Sequence, residues 1–139
     1  MAYNVGTELA RRGAIMICGG GSGVMEAAAQ GVFEAGGEAI GILPGDDHRL
    51  SNPYLKFSIA TGLGEARNAI IARTVDAVIA VGGEYGTLSE IALALKMNKP
   101  VIGLQSWAIQ PPGRSKSGIV EAVTPAEAVD KAFSLLNIS

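Results

Sequence analysis

Two glycine clusters stand where an apolar run gives way to a helical pattern. CGGGSG (Cys18 to Gly23) follows the run AIMIC, and VGGEYGTLSE (Val81 to Glu90) follows AVIAV. Glycines let a backbone approach a ligand closely, and the unpaired N–H groups of a helix's first turn favour an anion. The chemistry suggested is backbone binding of a phosphate. Its candidates are Gly19, Gly20, Gly21, Ser22 and Gly23 in the first cluster, and Gly82, Gly83, Tyr85, Gly86 and Thr87 in the second. The same residues also suit tight strand-to-helix turns that need positive φ. The dinucleotide fingerprint GxGxxG is not met, because Val24 stands at the third glycine, and no Walker lysine follows.

Other candidates are single side chains. Arg67 and its neighbour Asn68 lie in GLGEARN, near the start of the helix ahead of the second cluster. A guanidinium there could hold a phosphate bidentately, although arginines on helices are more often only solvated. Glu90 with Thr87 reads as a capping box, T-x-x-E, which gives Glu90 a purely structural alternative to chemistry. His48, the only histidine, sits in DDHR beside Asp46 and Asp47. A loop histidine is usually solvated, and acidic loops are common, so these carry little weight as a triad member, ribose ligand or magnesium site.

Alternating strand-like runs and amphipathic stretches must position these residues, which points to an α/β fold with parallel strands. Helices are predicted over Ala2 to Arg12, Ser22 to Ala35, Glu65 to Val75, Thr87 to Met97 and Pro125 to Leu136. Strands are predicted over Ala14 to Cys18, Ala39 to Leu43, Phe57 to Ala60, Ala77 to Val81 and Val101 to Leu104. The near-continuous apolar strands predict a doubly wound, three-layer sheet covered on both faces. Both glycine turns then belong at the carboxyl edge, where such sheets bind ligands. The chain opens on a helix, whereas doubly wound domains usually open on a strand, so the usual first strand is expected to be lacking. Ser106 to Ser117 reads as a loop. The helix Thr87 to Met97 is apolar on nearly every side, which predicts burial on both sides or a homodimer or higher homo-oligomer.

Composition bounds the rest. With 139 residues and 48% apolar content, a single domain over residues 1–139 is expected. The net charge of −2 offers no basic stripe, which argues against nucleic acid. Cys18 alone forms no intrachain disulfide, no Cys/His cluster has metal-ligand spacing, and no run approaches the roughly 18 apolar residues of a membrane span. No metal, no membrane partner and a cytoplasmic location are the expectations.

Taken together, GGGSGVMEAAAQG, GILPGDD, NPY, GLGEARN and DAVIAVGGEYGTLSEIALALKMNKPV resemble the superfamily that joins molybdenum cofactor carrier proteins to the Lonely Guy phosphoribohydrolases. The likeness runs from about Ala2 to Leu104, resumes weakly in the last helix, and is nearer the carrier branch. It implies a Rossmann-like fold whose members usually begin with a strand just ahead of the helix at Ala2. It also implies a phosphate-bearing ligand: molybdopterin cofactor, a nucleotide, or phosphate or sulfate in their place. No cofactor is implied as required. The label lysine decarboxylase is attached to some members, but no lysine is placed to hold pyridoxal phosphate.

The hydrolase branch carries PGGxGTxxE and an arginine-lysine pair one helix earlier. Gly83, Gly86, Thr87 and Glu90 match; Gly82 replaces the proline, Glu84 the second glycine and Asn68 the lysine, while Arg67 falls on the catalytic arginine. The resemblance thus implies a carrier first. A nucleoside 5'-monophosphate phosphoribohydrolase using Glu90 and Arg67 is the alternative, and a degenerate scaffold that binds nothing is the third reading.

Overall fold

The computed structural model describes residues 1–115 and 117–137. Of the loop expected over Ser106 to Ser117, Lys116 lies outside the described residues. The order of elements is α1 (Ala2–Arg11), β1 (Ile15–Cys18), α2 (Val24–Glu34), β2 (Glu38–Leu43), β3 (Phe57–Ala60), a 3₁₀ turn (Gly64–Ala66), α3 (Arg67–Thr74), β4 (Val78–Gly82), α4 (Tyr85–Lys96), β5 (Val101–Ser106), β6 (Ile119–Ala122) and α5 (Pro125–Leu135). All strand pairs are parallel, in two three-stranded sheets ordered β1-β2-β3 and β4-β5-β6. The fold is α/β, as the alternation predicts. The chain divides into two compact units, one up to Ile71 and one from Ala72.

In the first unit, Met16 of β1 and Ala39 of β2 face Ala29 and Val32 of α2, and all four are buried. Helix α1 lies on α2 at a crossing made by two mid-helix glycines. A Cβ on Gly6 would stand 2.0 Å from the carbonyl oxygen of Ala28, and one on Gly31 would stand 2.0 Å from that of Tyr3. Only hydrogen at both positions permits so close an approach. Both helices stop the same way. Gly13 (φ 75) and Gly36 (φ 81) take the left-handed conformation after the C-caps Arg12 and Ala35. The next amides reach back, Ala14 to Leu9 at 3.0 Å and Gly37 to Val32 at 2.9 Å.

In the second unit, the sheet is covered on both faces. Val101 and Ala80 meet Ile91 and Ala94 of α4, while α5 packs on β5 and β6 and buries Ala128, Val129 and Ala132. Strand β6 is absent from the sequence reading. It is a four-residue run, IVEA, that exists by pairing with β5, Val101 to Ile119 through Leu104 to Ala122. Helix α4 is not buried all round: Ile91 and Ala94 are buried, but Ala92 and Lys96 are exposed.

The capping box expected at Thr87 and Glu90 does not form. Helix α4 starts two residues earlier, with Glu84 as N-cap and no side-chain cap bond. The box-like arrangement occurs instead at α5, where Thr124 Oγ1 accepts the Glu127 amide at 3.1 Å and Glu127 Oε2 accepts the Val123 amide at 3.3 Å. Pro125 stands at the first helical position, as predicted. Thr124→Ala is expected to cost about 1 kcal/mol, read as a lowered urea midpoint. An unchanged midpoint would show that the cap contributes nothing.

Candidate functional site

Each unit ends its first strand in a glycine turn at the carboxyl edge. After β1, Gly20 (φ 78) and Gly23 (φ 68) adopt conformations that favour glycine, and Gly23 is the N-cap of α2. Cys18 Sγ accepts the Gly20 amide at 3.4 Å. The turn is held from behind by Asn52, a buried residue that the sequence reading did not single out. Its amide donates to the Gly20 carbonyl at 3.0 Å, and its Nδ2 donates to the Gly21 carbonyl at 3.0 Å. The Tyr54 amide closes the loop on Asn52 Oδ1 at 3.1 Å. The string NPY was visible, but a buried asparagine looks like any loop asparagine until its partners are known.

Arg67 is brought to this turn. Its Nε donates to the Ile42 carbonyl at 3.1 Å, and its Nη1 donates to Oδ1 of Asn68, which is itself buried. A Cβ on Gly19 would stand 2.5 Å from Nη2. The guanidinium therefore rests on Gly19, with two of its three nitrogens engaged by the protein. Asn68, where the hydrolase pattern has lysine, here helps to orient the arginine.

After β4, Gly82 (φ 84) turns the chain into Gly83 and the α4 start. The first helical bond of α4 is Leu88 to Glu84 at 3.1 Å, so the amides of Tyr85, Gly86 and Thr87 precede it as first-turn donors. Gly83 and Gly86 have no positive φ, and a Cβ on either would meet nothing within 4 Å. Neither conformation nor internal packing requires glycine there. Ser106 Oγ donates to the Gly82 carbonyl at 2.7 Å and Trp107 Nε1 to the Glu84 carbonyl at 3.0 Å. The rings of Tyr85 and Trp107 lie 5.7 Å apart. Thr87 and Glu90 are half-buried on α4, and Glu90 is engaged in an interaction of its own.

The loop after β2 holds no such arrangement. Asp47 is taken by Arg49, at 2.9 Å from Nε and 3.1 Å from Nη2, which holds its carboxyl below the ordinary aspartate range. Asp46 and His48 are exposed. Among the described residues no group of three or more His, Cys, Asp or Glu could hold a metal ion, and no helix is long and apolar enough to cross a membrane.

The structure is similar to the molybdenum cofactor binding protein of Rippkaea orientalis, with a TM-score of 0.86 and 36% identity over 97% of this chain and 85% of that one. It is also similar to the molybdenum cofactor carrier protein of Chlamydomonas reinhardtii, with a TM-score of 0.85 and 38% identity over 99% and 86%. These neighbours bear out the Rossmann-like fold. A cytokinin riboside 5'-monophosphate phosphoribohydrolase of Arabidopsis thaliana is 38% identical over 93 residues, 65% of this chain. The chain spans about two fifths of that enzyme's length, 41%. The SLOG cluster4 family matches residues 1–133. With that match, and with molybdenum cofactor carriers and Lonely Guy proteins among its relatives, the chain belongs to the SLOG cluster4 family.

Proposed function

We propose that this protein binds a phosphate-bearing small molecule, molybdopterin cofactor or a nucleotide, at its glycine turns and holds it as a carrier. The observation behind this reading is the start of α4: Gly83 and Gly86 are glycines for which the protein has no internal use, beside first-turn amides. A phosphate seated there would explain both. Arg67 adds a fixed cationic group at the first turn, with Nη2 over Gly19. Likeness to two cofactor-binding proteins along nearly the whole chain supports the carrier role.

Native purification followed by mass spectrometry of the released small molecules tests the proposal. Recovery of a stoichiometric phosphorylated compound is the expected result. No such compound, together with no thermal shift on adding inorganic phosphate, AMP or a pterin phosphate, would leave the degenerate scaffold as the correct reading. Arg67→Ala is expected to weaken AMP about 10- to 100-fold, the range for a hydrogen bond to a charged group. Arg67→Lys should recover only part of this, because lysine cannot reproduce the fork. Equal affinity in all three proteins would remove Arg67 from the site.

The second reading is hydrolysis of a nucleoside 5'-monophosphate. It is favoured by Arg67 and Glu90 matching the hydrolase pattern and by the plant relative. Glu90 would then stabilise the oxocarbenium-like ribosyl centre or activate water, with Arg67 holding the substrate. Incubation with a panel of monophosphates decides between the two: release of free base that is abolished by Glu90→Ala replaces the carrier by an enzyme. The apolar residues of α4 support a homodimer or higher homo-oligomer, which light scattering of the purified protein would reveal.

A further inference from the structure

Beside the second glycine turn the carboxyl edge of β5 and β6 holds a hollow of about 210 Å³, lined by Gly103, Gln105, Ser106, Trp107, Glu121 and Ala122. Three features point to a built site. Gly103, opposite Glu121 in the ladder, lines the hollow with backbone alone, and a Cβ there would stand 3.0 Å from Cγ2 of Ile119. The register skips a residue, Val81 pairing with Leu104 but Gly82 with Ser106, so Gln105 is bulged out of the central strand. Gln105 also has φ 50, a left-handed conformation that glutamine rarely adopts. Bulges and strained residues of this kind gather where a side chain must be re-aimed at a site. The bulge also sets Ser106 and Trp107 against the glycine turn, through their bonds to the Gly82 and Glu84 carbonyls.

The lining specifies the guest. Trp107 offers an aromatic face, held in place by its indole N–H and by Tyr85. Carboxylate oxygens accept hydrogen bonds, so a guest that meets Glu121 brings donors to it. Two adjacent N–H groups on one edge match a carboxylate bidentately, and guanine and pterins share such an edge.

We infer that this hollow is the recognition site for a planar nitrogen heterocycle of the 2-amino-4-oxopyrimidine type, with the ring against Trp107 and its paired N–H groups on Glu121. The inference deepens the proposed function and rests on it, since a ligand held by its phosphate at Gly83 to Gly86 would have its ring next door.

Trp107 is the only tryptophan, so its fluorescence reports on the hollow directly. The experiment titrates the full chain with guanosine, inosine and adenosine, none of which carries phosphate, and separately follows the melting temperature with inorganic phosphate. Guanosine should quench saturably. Inosine, which lacks the 2-amino group, should bind at least about tenfold more weakly, and Glu121→Gln should weaken guanosine by a similar factor. No quenching by guanosine at millimolar concentration overturns the inference, as does equal quenching by all three nucleosides that Glu121→Gln leaves unchanged. Phosphate stabilisation without guanosine quenching defeats the ring site but leaves the phosphate turn standing. Guanosine quenching sensitive to Glu121→Gln, without phosphate stabilisation, supports the ring site and defeats the turn.

Discussion

Gly31→Ala is expected to lower the stability of the protein by about 3 kcal/mol or more, the upper end for overpacking a closed interface. In most helix interiors the same substitution would help, because alanine exceeds glycine in helix propensity by about 1 kcal/mol. Here the new methyl would stand 2.0 Å from the Tyr3 carbonyl oxygen, 2.9 Å from its carbon and 3.1 Å from the Thr7 amide nitrogen. All are backbone atoms, so no rotamer change relieves the clash and the helices must separate. Gly6→Ala meets the mirror situation at Ala28 and Val32 and should cost as much. Because both variants open the same crossing, their effects should fall short of adding. Urea denaturation checks this: the midpoint should drop for each variant with the slope unchanged. Midpoints at or above the parent's would mean that α1 and α2 do not meet at these residues.

Gly83→Ala combined with Gly86→Ala should have the opposite profile, a sound fold with a ruined ligand site. Each new methyl enters empty space, and Gly86 lies in the first turn of α4, where alanine is the better helix former. Stability without ligand should therefore be equal or slightly higher. The methyl groups would hold a phosphate away from the first-turn amides of α4. Losing two charge-assisted hydrogen bonds predicts at least about a 100-fold weaker affinity. Thermal unfolding with and without the natural ligand or AMP reads both effects at once. A ligand saturating the parent at 100 times its Kd stabilises by about 2.7 kcal/mol, and this increment should fall to about 0.4 kcal/mol or less in the double variant. A preserved increment would place the ligand elsewhere.

Much of this was legible in the residues, and the omissions share a cause. Strands β1 to β5 and all five helices follow from runs and periodicity, with boundaries within two residues, β5 included, where Gln105 and Ser106 extend the strand past Leu104. The stops at Gly13 and Gly36 and the cap at Thr124 depend on local chemistry, and local chemistry can be read in order along the chain. Strand β6 depends on a partner elsewhere, and a four-residue run containing Glu121 has no periodicity to announce it. The α4 start was misplaced because T-x-x-E suggests a cap at Thr87, while the turn of Gly82 and Gly83 delivers the chain in helical form at Tyr85. Of the candidate site, the first turn, Arg67 and the second turn were visible by type and spacing. The hollow at Gln105 and Trp107 was not, since it arises from a register skip that only the paired strands reveal. Gly6 and Gly31 did leave a trace: an interior helical glycine is costly enough that it usually has a packing reason.

The manner in which Asn52 secures the first turn bears on how the protein would respond to acidity. With the oxygens of Gly20 and Gly21 drawn toward that asparagine, the turn offers a guest peptide dipoles and the Arg67 guanidinium. Occupancy at that turn between pH 5 and 8 should then follow the guest's second phosphate ionisation, near pH 6.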